Sequence, residues 1–158
     1  MLKILKQNIA AHIIIKNKNG SYLILKRSST DKHDPGMWDL AGGGIRNNEI
    51  LDEGVKREVF EETGLKIGRV YILGVYTIGG GDINLLTFSE TKNKKSDVHI
   101  SKEHNSYKWV DLNYLLKLKD SGFHLKAAQK ILKSKTKVNS NRRFDKFKYK
   151  GRYYYYLS

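Results

Sequence analysis

Gly43–Leu65 reads GGIRNNEILDEGVKREVFEETGL, and its centre, Arg57-Glu58-Val59-Phe60-Glu61-Glu62, sets an arginine and three carboxylates within six residues. On a helix, Glu58 and Glu62 are i, i+4 neighbours and Glu58 and Glu61 are i, i+3 neighbours. At about 100° per residue the three carboxylates share an arc of roughly 100°. Like charges that close destabilise a bare helix, so their clustering makes sense if a cation sits among them. The ligands are hard oxygens, the chain has no cysteine, and histidines are remote in sequence. That donor set suits Mg2+ or Mn2+ rather than Zn2+.

The flanks give this helix a shaped entrance and exit. Gly42-Gly43-Gly44 can bring backbone close to a ligand or metal. Asn47 or Asn48 is the expected N-cap, with Glu49, Asp52 and Glu53 in the first turns, where the helix dipole favours negative charge. Leu51, Val55 and Val59 recur at i, i+4, i+8 as a buried stripe. Gly64 suits a left-handed stop. One face packs the helix down, and the adjoining edge presents acid.

These residues carry a family resemblance. The stretch resembles the Nudix box, G-x5-E-x7-R-E-U-x-E-E-x-G-U with U aliphatic, and Gly43, Glu49, Arg57, Glu58, Val59, Glu61, Glu62, Gly64 and Leu65 fill every specified place. Seven of those places demand one residue type, so chance agreement arises on the order of once in 10⁸ windows. The resemblance extends over roughly residues 5–134. It implies an α/β fold, a Nudix-type α/β/α sandwich around a mixed β-sheet. It also implies a MutT-like hydrolase in which Glu58, Glu61 and Glu62 bind metal, the Gly42 carbonyl completes the shell, and Glu58 is a candidate base. Arg57 and Glu49 become partners that hold those carboxylates in place.

Working outward, Ile9–Lys16 and Tyr22–Lys26 are short apolar runs around Asn17-Lys18-Asn19-Gly20, a strand–turn–strand pattern. Lys26 and Arg27 are either a solvated strand end or, with the strand leading towards the box, phosphate contacts. Asp34-Pro35-Gly36 is a turn around the one proline. Met37–Gly43 resembles the W-x-x-P-G-G approach common before the box, with Ala41 in place of proline. Trp38 reads as core or pocket wall. Arg46 stands where an acid is frequent; it either biases phosphate binding, together with Gly43 and Gly44, or faces solvent.

Beyond the box, Gly68–Ile78 reads as a long strand, Gly79–Asp82 as a turn and Ile83–Ser89 as the returning strand. Glu90–Lys102 reads as a long polar loop of the kind that is often functional. Glu103 follows, six residues before Trp109. By resemblance it binds metal or acts as base; by its own chemistry it is equally a solvated loop acid. Tyr107–Val110 is a short strand, Asp111 a cap for a helix over Leu112–Leu118, and Phe123–Leu132 a second helix with Leu125, Ala128 and Leu132 on one face. His33, His99 and His104 fall in loops, where exposure is expected.

The 158 residues suit one core-forming domain over residues 1–136, with residues 137–158 as a basic, tyrosine-rich extension. Residues 117–152 carry a net +11 of the chain's +14. There Arg142-Arg143-Phe144, Lys146–Lys150 and Arg152–Tyr156 interleave cations with aromatics. That pattern grips a nucleic-acid backbone and stacks bases, or forms a hairpin turned at Lys150-Gly151 that pairs with a sheet edge or with a second copy, making a homodimer; otherwise it is a mobile tail. The absence of cysteine fits a reducing cytosol. No apolar run spans a bilayer, and no small-residue cleavage site follows Met1-Leu2-Lys3. The chain reads as soluble and cytoplasmic, with no membrane partner.

The expected activity is Mg2+-dependent hydrolysis (Mn2+ as substitute) of a nucleoside diphosphate linked to a group X. The lean is towards nucleoside triphosphates, including oxidised purine ones. Two alternatives stand beside it: a pyrophosphohydrolase of RNA 5′ ends, favoured by the basic extension, and a non-catalytic nucleotide- or RNA-binding module. The intact carboxylate set argues against the second, since a pure binder has less use for clustered acids.

Overall fold

The computed structural model describes residues 8–78, 82–135 and 144–157. Strand β1 (Ile9–Asn17) runs through the middle of a mixed sheet and is buried on both faces. Its alternation sorts side chains into two cores. Ala11, Ile13 and Ile15 join one cluster with Val55 and Val59; Ile14 joins the other with Ile24, Leu86 and Leu125. This two-sided burial is why the run reads as continuously apolar.

The other strands are β2 (Tyr22–Arg27), β3 (Trp38–Asp39), β4 (Ala41–Gly44), β5 (Tyr71–Ile78), β6 (Asp82–Thr91), β7 (His104–Val110), β8 (Phe144–Tyr149) and β9 (Arg152–Leu157). The helices are α1 (Leu51–Thr63), α2 (Leu112–Lys117) and α3 (Phe123–Lys135). The sheet order is β3-β2-β1-β6-β5-β9-β8, with β4 added to β1 and β7 to β2. β1 and β6 are parallel, Ile9 opposite Ile83 through Asn17 opposite Thr91; the other named strand pairs are antiparallel. The α1 residues Val55 and Val59 pack in one cluster, and Leu115 of α2 and Leu125 of α3 in the other. The architecture is the α/β/α sandwich that the sequence implied.

Local chemistry explains the connections. Asn17 closes the β1–β2 turn by accepting the N–H groups of Asn19 and Ser21, each at 3.0 Å, with Gly20 at φ 79°. Asp111 caps α2 by accepting the Tyr114 N–H at 2.8 Å. Gly64 ends α1 at φ 69°, donating to the Phe60 carbonyl.

The structure corrects the reading of several segments. Neither Asn47 nor Asn48 caps α1: the N-cap is Ile50, with no side-chain cap bond, and Asn48 sits in a tight turn at φ 65°. The strand expected over Gly68–Ile78 begins at Tyr71, while Ile67 makes an isolated bridge to Thr91. The expected loop over Glu90–Lys102 is partly ordered. β6 continues to Thr91, a 3-10 turn spans Lys95–Asp97, and Val98 is buried. His104 is no loop residue; it opens β7 and is buried. The Gly79–Gly81 turn, Arg142-Arg143 and Met1-Leu2-Lys3 lie outside the described residues. Among the described residues no helix is long and apolar enough to cross a membrane.

The C-terminal segment forms the expected hairpin, turning at Lys150 (φ 44°) and Gly151 (φ 80°). It joins the sheet through β9, where Val75 faces Leu157 and Tyr76 faces Tyr156. Phe147 and Tyr156 are buried in the core, whereas Lys148, Tyr153 and Tyr155 are exposed. The hairpin tip is fastened at Asp34. One oxygen of that buried carboxylate accepts from the Tyr149 hydroxyl at 2.7 Å and from Lys150 Nζ at 2.8 Å; the other accepts the Phe123 N–H at 2.9 Å. Burial opposes ionisation of Asp34, but the bonds from Lys150, Tyr149 and Phe123 outweigh it and hold the carboxyl below its ordinary range.

Removing this node is expected to be costly. Asp34→Ala leaves the Phe123 amide and Tyr149 hydroxyl without their acceptor, a loss of about 3 kcal/mol. Lys150→Met removes a half-exposed ammonium and should cost below about 1 kcal/mol. Urea unfolding of both variants checks the ranking, and hydrogen exchange across β8–β9 should rise in Asp34→Ala alone.

Candidate active site

The acidic helix is pressed onto β4 by one glycine amide. Gly42 N–H donates to Glu62 Oε2 at 2.9 Å. Gly42 holds φ 140°, and a Cβ there would lie 2.2 Å from the Ala11 carbonyl oxygen, so the position demands glycine. Next to it, a Cβ on Gly43 would lie 2.7 Å from the Glu58 carboxylate, which therefore packs directly over the Gly43 backbone. The two carboxylates, i and i+4 on α1, are set against consecutive glycines of one strand.

Arg57 organises the rest. Its Nε and Nη2 make a two-pronged bond to Glu49, at 2.7 and 2.9 Å. Nη1 reaches Glu58 Oε1 at 2.7 Å and Glu61 Oε2 at 3.1 Å, and Nη2 also reaches the Gly44 carbonyl at 3.1 Å. One guanidinium thus touches three acids and the glycine strand, a geometry that an ammonium cannot reproduce. Glu49 also accepts the Arg46 N–H at 2.9 Å, which closes the turn before α1.

Glu62 is buried, with 8% of its surface exposed. Burial raises its carboxyl to about 8; the Gly42 amide opposes the shift, and the Glu103 and Glu58 charges add to it. Glu103 is therefore near enough for Glu62 to feel. Its segment is fixed at both sides, since Ser101 N–H donates to the Glu62 carbonyl at 3.0 Å and Ser28 N–H to the Glu103 carbonyl at 2.8 Å. A buried carboxyl that feels the charges of Glu58 and Glu103 fits a hard divalent cation, whose charge would remove the repulsion. Among the described residues no three such side chains are already drawn together around one point, because Glu58 and Glu61 turn to Arg57.

A cavity of about 520 Å³ opens beside Gly43 and Gly44 and is lined also by His12, Arg27, Asn84 and His124. Arg27 contributes from the end of β2, with Nη2 paired to Asp31 at 2.7 Å and Nη1 at 3.8 Å from Asp39. Arg46 does not line it; this exposed side chain pairs with Glu61 at 3.3 Å. The sequence reading missed His12, Asn84 and His124. Its available signal was a polar residue inside an otherwise apolar strand, His12 among Ile9–Ile15 and Asn84 between Ile83 and Leu85.

The sequence profile of the NUDIX domain matches residues 6–131. The chain belongs to the Nudix family. An 8-oxo-dGTP diphosphatase from Buchnera aphidicola subsp. Schizaphis graminum is 37% identical over 108 residues, 68% of this chain and 79% of that protein. A nucleoside triphosphatase NudI from Enterobacter sp. (strain 638) is 43% identical over 54 residues, 34% of this chain and 38% of that one. In fold, the chain resembles a MutT protein from Methanosarcina mazei Go1, with a TM-score of 0.67 and 29% identity over 86% of this chain and 99% of that one. By its family this Nudix protein is a hydrolase of the pyrophosphohydrolase class.

Asp39 gives this Nudix site a pH-dependent support. Its Oδ1 accepts the N–H groups of Leu40 (2.9 Å) and Leu125 (2.7 Å), while Oδ2 has no hydrogen bond among the described residues. Burial pushes its carboxyl up to about 7, against the pull of the Leu40 amide and the Arg27 charge. An acid raised on folding carries stability that is full below its unfolded pKa, near 4, and is lost as pH rises through the folded value. Wild type should therefore lose about 1–3 kcal/mol between pH 5 and pH 8 relative to Asp39→Asn. Paired denaturant titrations at the two pH values measure the gap; a gap that stays constant contradicts the assignment.

Proposed function

We propose that this Nudix enzyme hydrolyses nucleoside triphosphates to a nucleoside monophosphate and pyrophosphate, with Mg2+ as cofactor and Mn2+ able to replace it. The observation that carries the reading is Glu62, buried against the Gly42 amide, with Glu58 one helical turn before it packed over Gly43. The names of the Buchnera and Enterobacter relatives support triphosphates, oxidised purine ones included.

Glu58, Glu61 and Glu62, with the Gly42 carbonyl, are the groups that would hold the cation. When bound, it neutralises phosphate oxygens and makes a nearby water more acidic. Every other contribution comes from the chain. Arg57 fixes the rotamers of Glu49 and Glu58. Glu58 accepts the proton of the water that attacks phosphorus, and Glu103 is the second candidate for that task. A new P–O bond forms from the water oxygen, and the anhydride P–O bond opposite it breaks, releasing pyrophosphate. Arg27, Gly43 and Gly44 border the cavity and receive the phosphates; Arg46, paired with Glu61, would reach them through a change of partner.

The outer face of the β8–β9 hairpin favours a second reading. Lys146, Lys148, Tyr153 and Tyr155 are exposed there, and Lys146 and Lys148 Nζ lie 4.9 and 5.9 Å from the Tyr153 ring centroid. A triphosphorylated RNA end, held by that face, is the alternative substrate.

Glu62→Gln tests the core of the proposal. The amide oxygen can still accept from Gly42, so melting should shift by only a few degrees, while kcat should fall on the order of 10²–10³-fold. The assay is pyrophosphate release from nucleoside triphosphates, oxidised triphosphates and triphosphorylated RNA, with Mg2+ and with Mn2+. An unchanged rate removes the assignment. Tight nucleotide or RNA binding without hydrolysis in wild type moves it to a binding module.

A further inference from the structure

Residues 144–157 lie beyond the family match at 6–131, yet Tyr149 and Tyr154 of the hairpin line the same cavity as Gly43 and Gly44. In its lining, Asn84 of β6 is 1% exposed, and neither its Oδ1 nor its Nδ2 has a hydrogen-bond partner among the described residues. A buried amide with both ends unpaired is costly. Asn84 offers one donor beside one acceptor, which matches a ligand edge carrying an acceptor beside a donor. Purine bases carry such edges, adenine at N7 and N6 among them.

Beside Asn84 the wall offers aromatic rings, while Arg27, Lys32 and Lys150 bring positive charge to the same cavity. Phe123 lines the cavity in edge-on contact with Tyr154 (centroids 4.6 Å apart) and Tyr149 (5.5 Å). His12 and His124 stack 3.3 Å apart, and both Nδ1 atoms bond the Tyr76 hydroxyl, at 3.2 and 2.8 Å. Burial holds both imidazoles below their ordinary range, so they are neutral at pH 7. Asp34 aligns the two sides of the wall at once, since its carboxylate binds Tyr149 of the hairpin and the Phe123 amide of α3. Stacking surfaces and one unpaired amide are the parts of a base-reading subsite.

We propose that the C-terminal hairpin completes a purine subsite of the substrate cavity, in which Asn84 bonds the edge of the base and Phe123, Tyr149 and Tyr154 contact its faces. This rests on the nucleotide-hydrolase reading above and adds a determinant of specificity from outside the matched domain.

The test uses the full chain and two readouts: calorimetric binding of AMP, GMP, CMP and UMP without metal, and KM for the matching triphosphates. Wild type should prefer purines at least about tenfold. Asn84→Leu, close in volume, should weaken purine binding and raise purine KM by about tenfold or more, with kcat changed less. Tyr154→Leu should weaken purine binding, and Tyr149→Leu, which removes the other hairpin ring, should do the same and covers the case in which Tyr154→Leu does not fold. Lys117→Ala, exposed on α2 and absent from the cavity lining, should behave as wild type. Purine binding and KM unchanged in Asn84→Leu, or no purine preference in wild type, overturns the subsite. The two readings fail separately. Hydrolysis that needs Glu62 but ignores Asn84 leaves the enzyme and removes the subsite; Asn84-dependent purine binding without hydrolysis does the reverse.

Discussion

The bond from Gly42 N–H to Glu62 Oε2 is the constraint on which the site depends. It joins the middle of the sheet to the last turn of α1, at a glycine whose close approach to β1 leaves no room for a Cβ beside the Ala11 carbonyl. With Glu62 fixed, the helical repeat sets Glu58 over Gly43 and turns Val55 and Val59 into the core. The end of α1 then fixes the segment that follows β6. His99 N–H donates to the Thr63 carbonyl and Ser101 N–H to the Glu62 carbonyl, and this ties the segment that carries the exposed Glu103 to the end of α1. A single approach of backbone to carboxylate therefore positions three parts of the chain.

The electrostatics run against the chain's overall charge. A protein of net +14 sets Glu49, Glu58 and Glu61 around one arginine and leaves Glu62 to burial, which the Gly42 amide opposes and the Glu103 and Glu58 charges reinforce. Arg57 pairs with Glu49, Glu58 and Glu61 and makes no hydrogen bond to Glu62 among the described residues. The residual charge deficit sits at the buried end of the cluster, beside the Gly42 amide. That is where a cation gains most, because neighbouring charges are least screened there. The nearby cavity differs in character: the stacked His12 and His124 are neutral, and Arg27 at its border is paired with Asp31.

The parts of the fold that were legible in sequence are those decided locally. The α1 stripe, the Gly64 stop, the Asn17 turn, the Asp111 cap and the Lys150-Gly151 hairpin each follow from a few adjacent residues and their backbone preferences. Glu58, Glu61 and Glu62 were legible because a helix converts spacing into a shared face. What escaped depends on contacts between distant segments. Asn84 reaches the cavity through the parallel register of β6 on β1, and nothing near Asn84 in sequence encodes that register. His104 looked like a loop residue because β7 begins three residues earlier than its aromatic run suggests. The Asn47-Asn48 cap failed because Glu49, tied to both Arg57 and the Arg46 amide, takes over the closing of that turn.

The C-terminal hairpin shows how one composition supports two readings until alternation is placed on a sheet. Interleaved cations and aromatics separate by face: Phe147 and Tyr156 enter the core, Tyr149 and Tyr154 reach the cavity, and Lys148, Tyr153 and Tyr155 stay outside. The inner face is fixed by packing and by the Asp34 carboxylate, so changes there act on the cavity wall. The outer face makes fewer demands on the fold and can vary without disturbing the wall. A hydrolytic helix common to a family and a wall drawn from outside the family match can then change independently. Asp34 is the point where the wall meets the matched domain, since the carboxylate that fastens the hairpin also receives the first amide of α3. A change at Tyr154 that keeps the bonds to Asp34 leaves Phe123 in place and alters the ring beside it, which is the physical route by which such an appendage can change selectivity without touching the acids of α1.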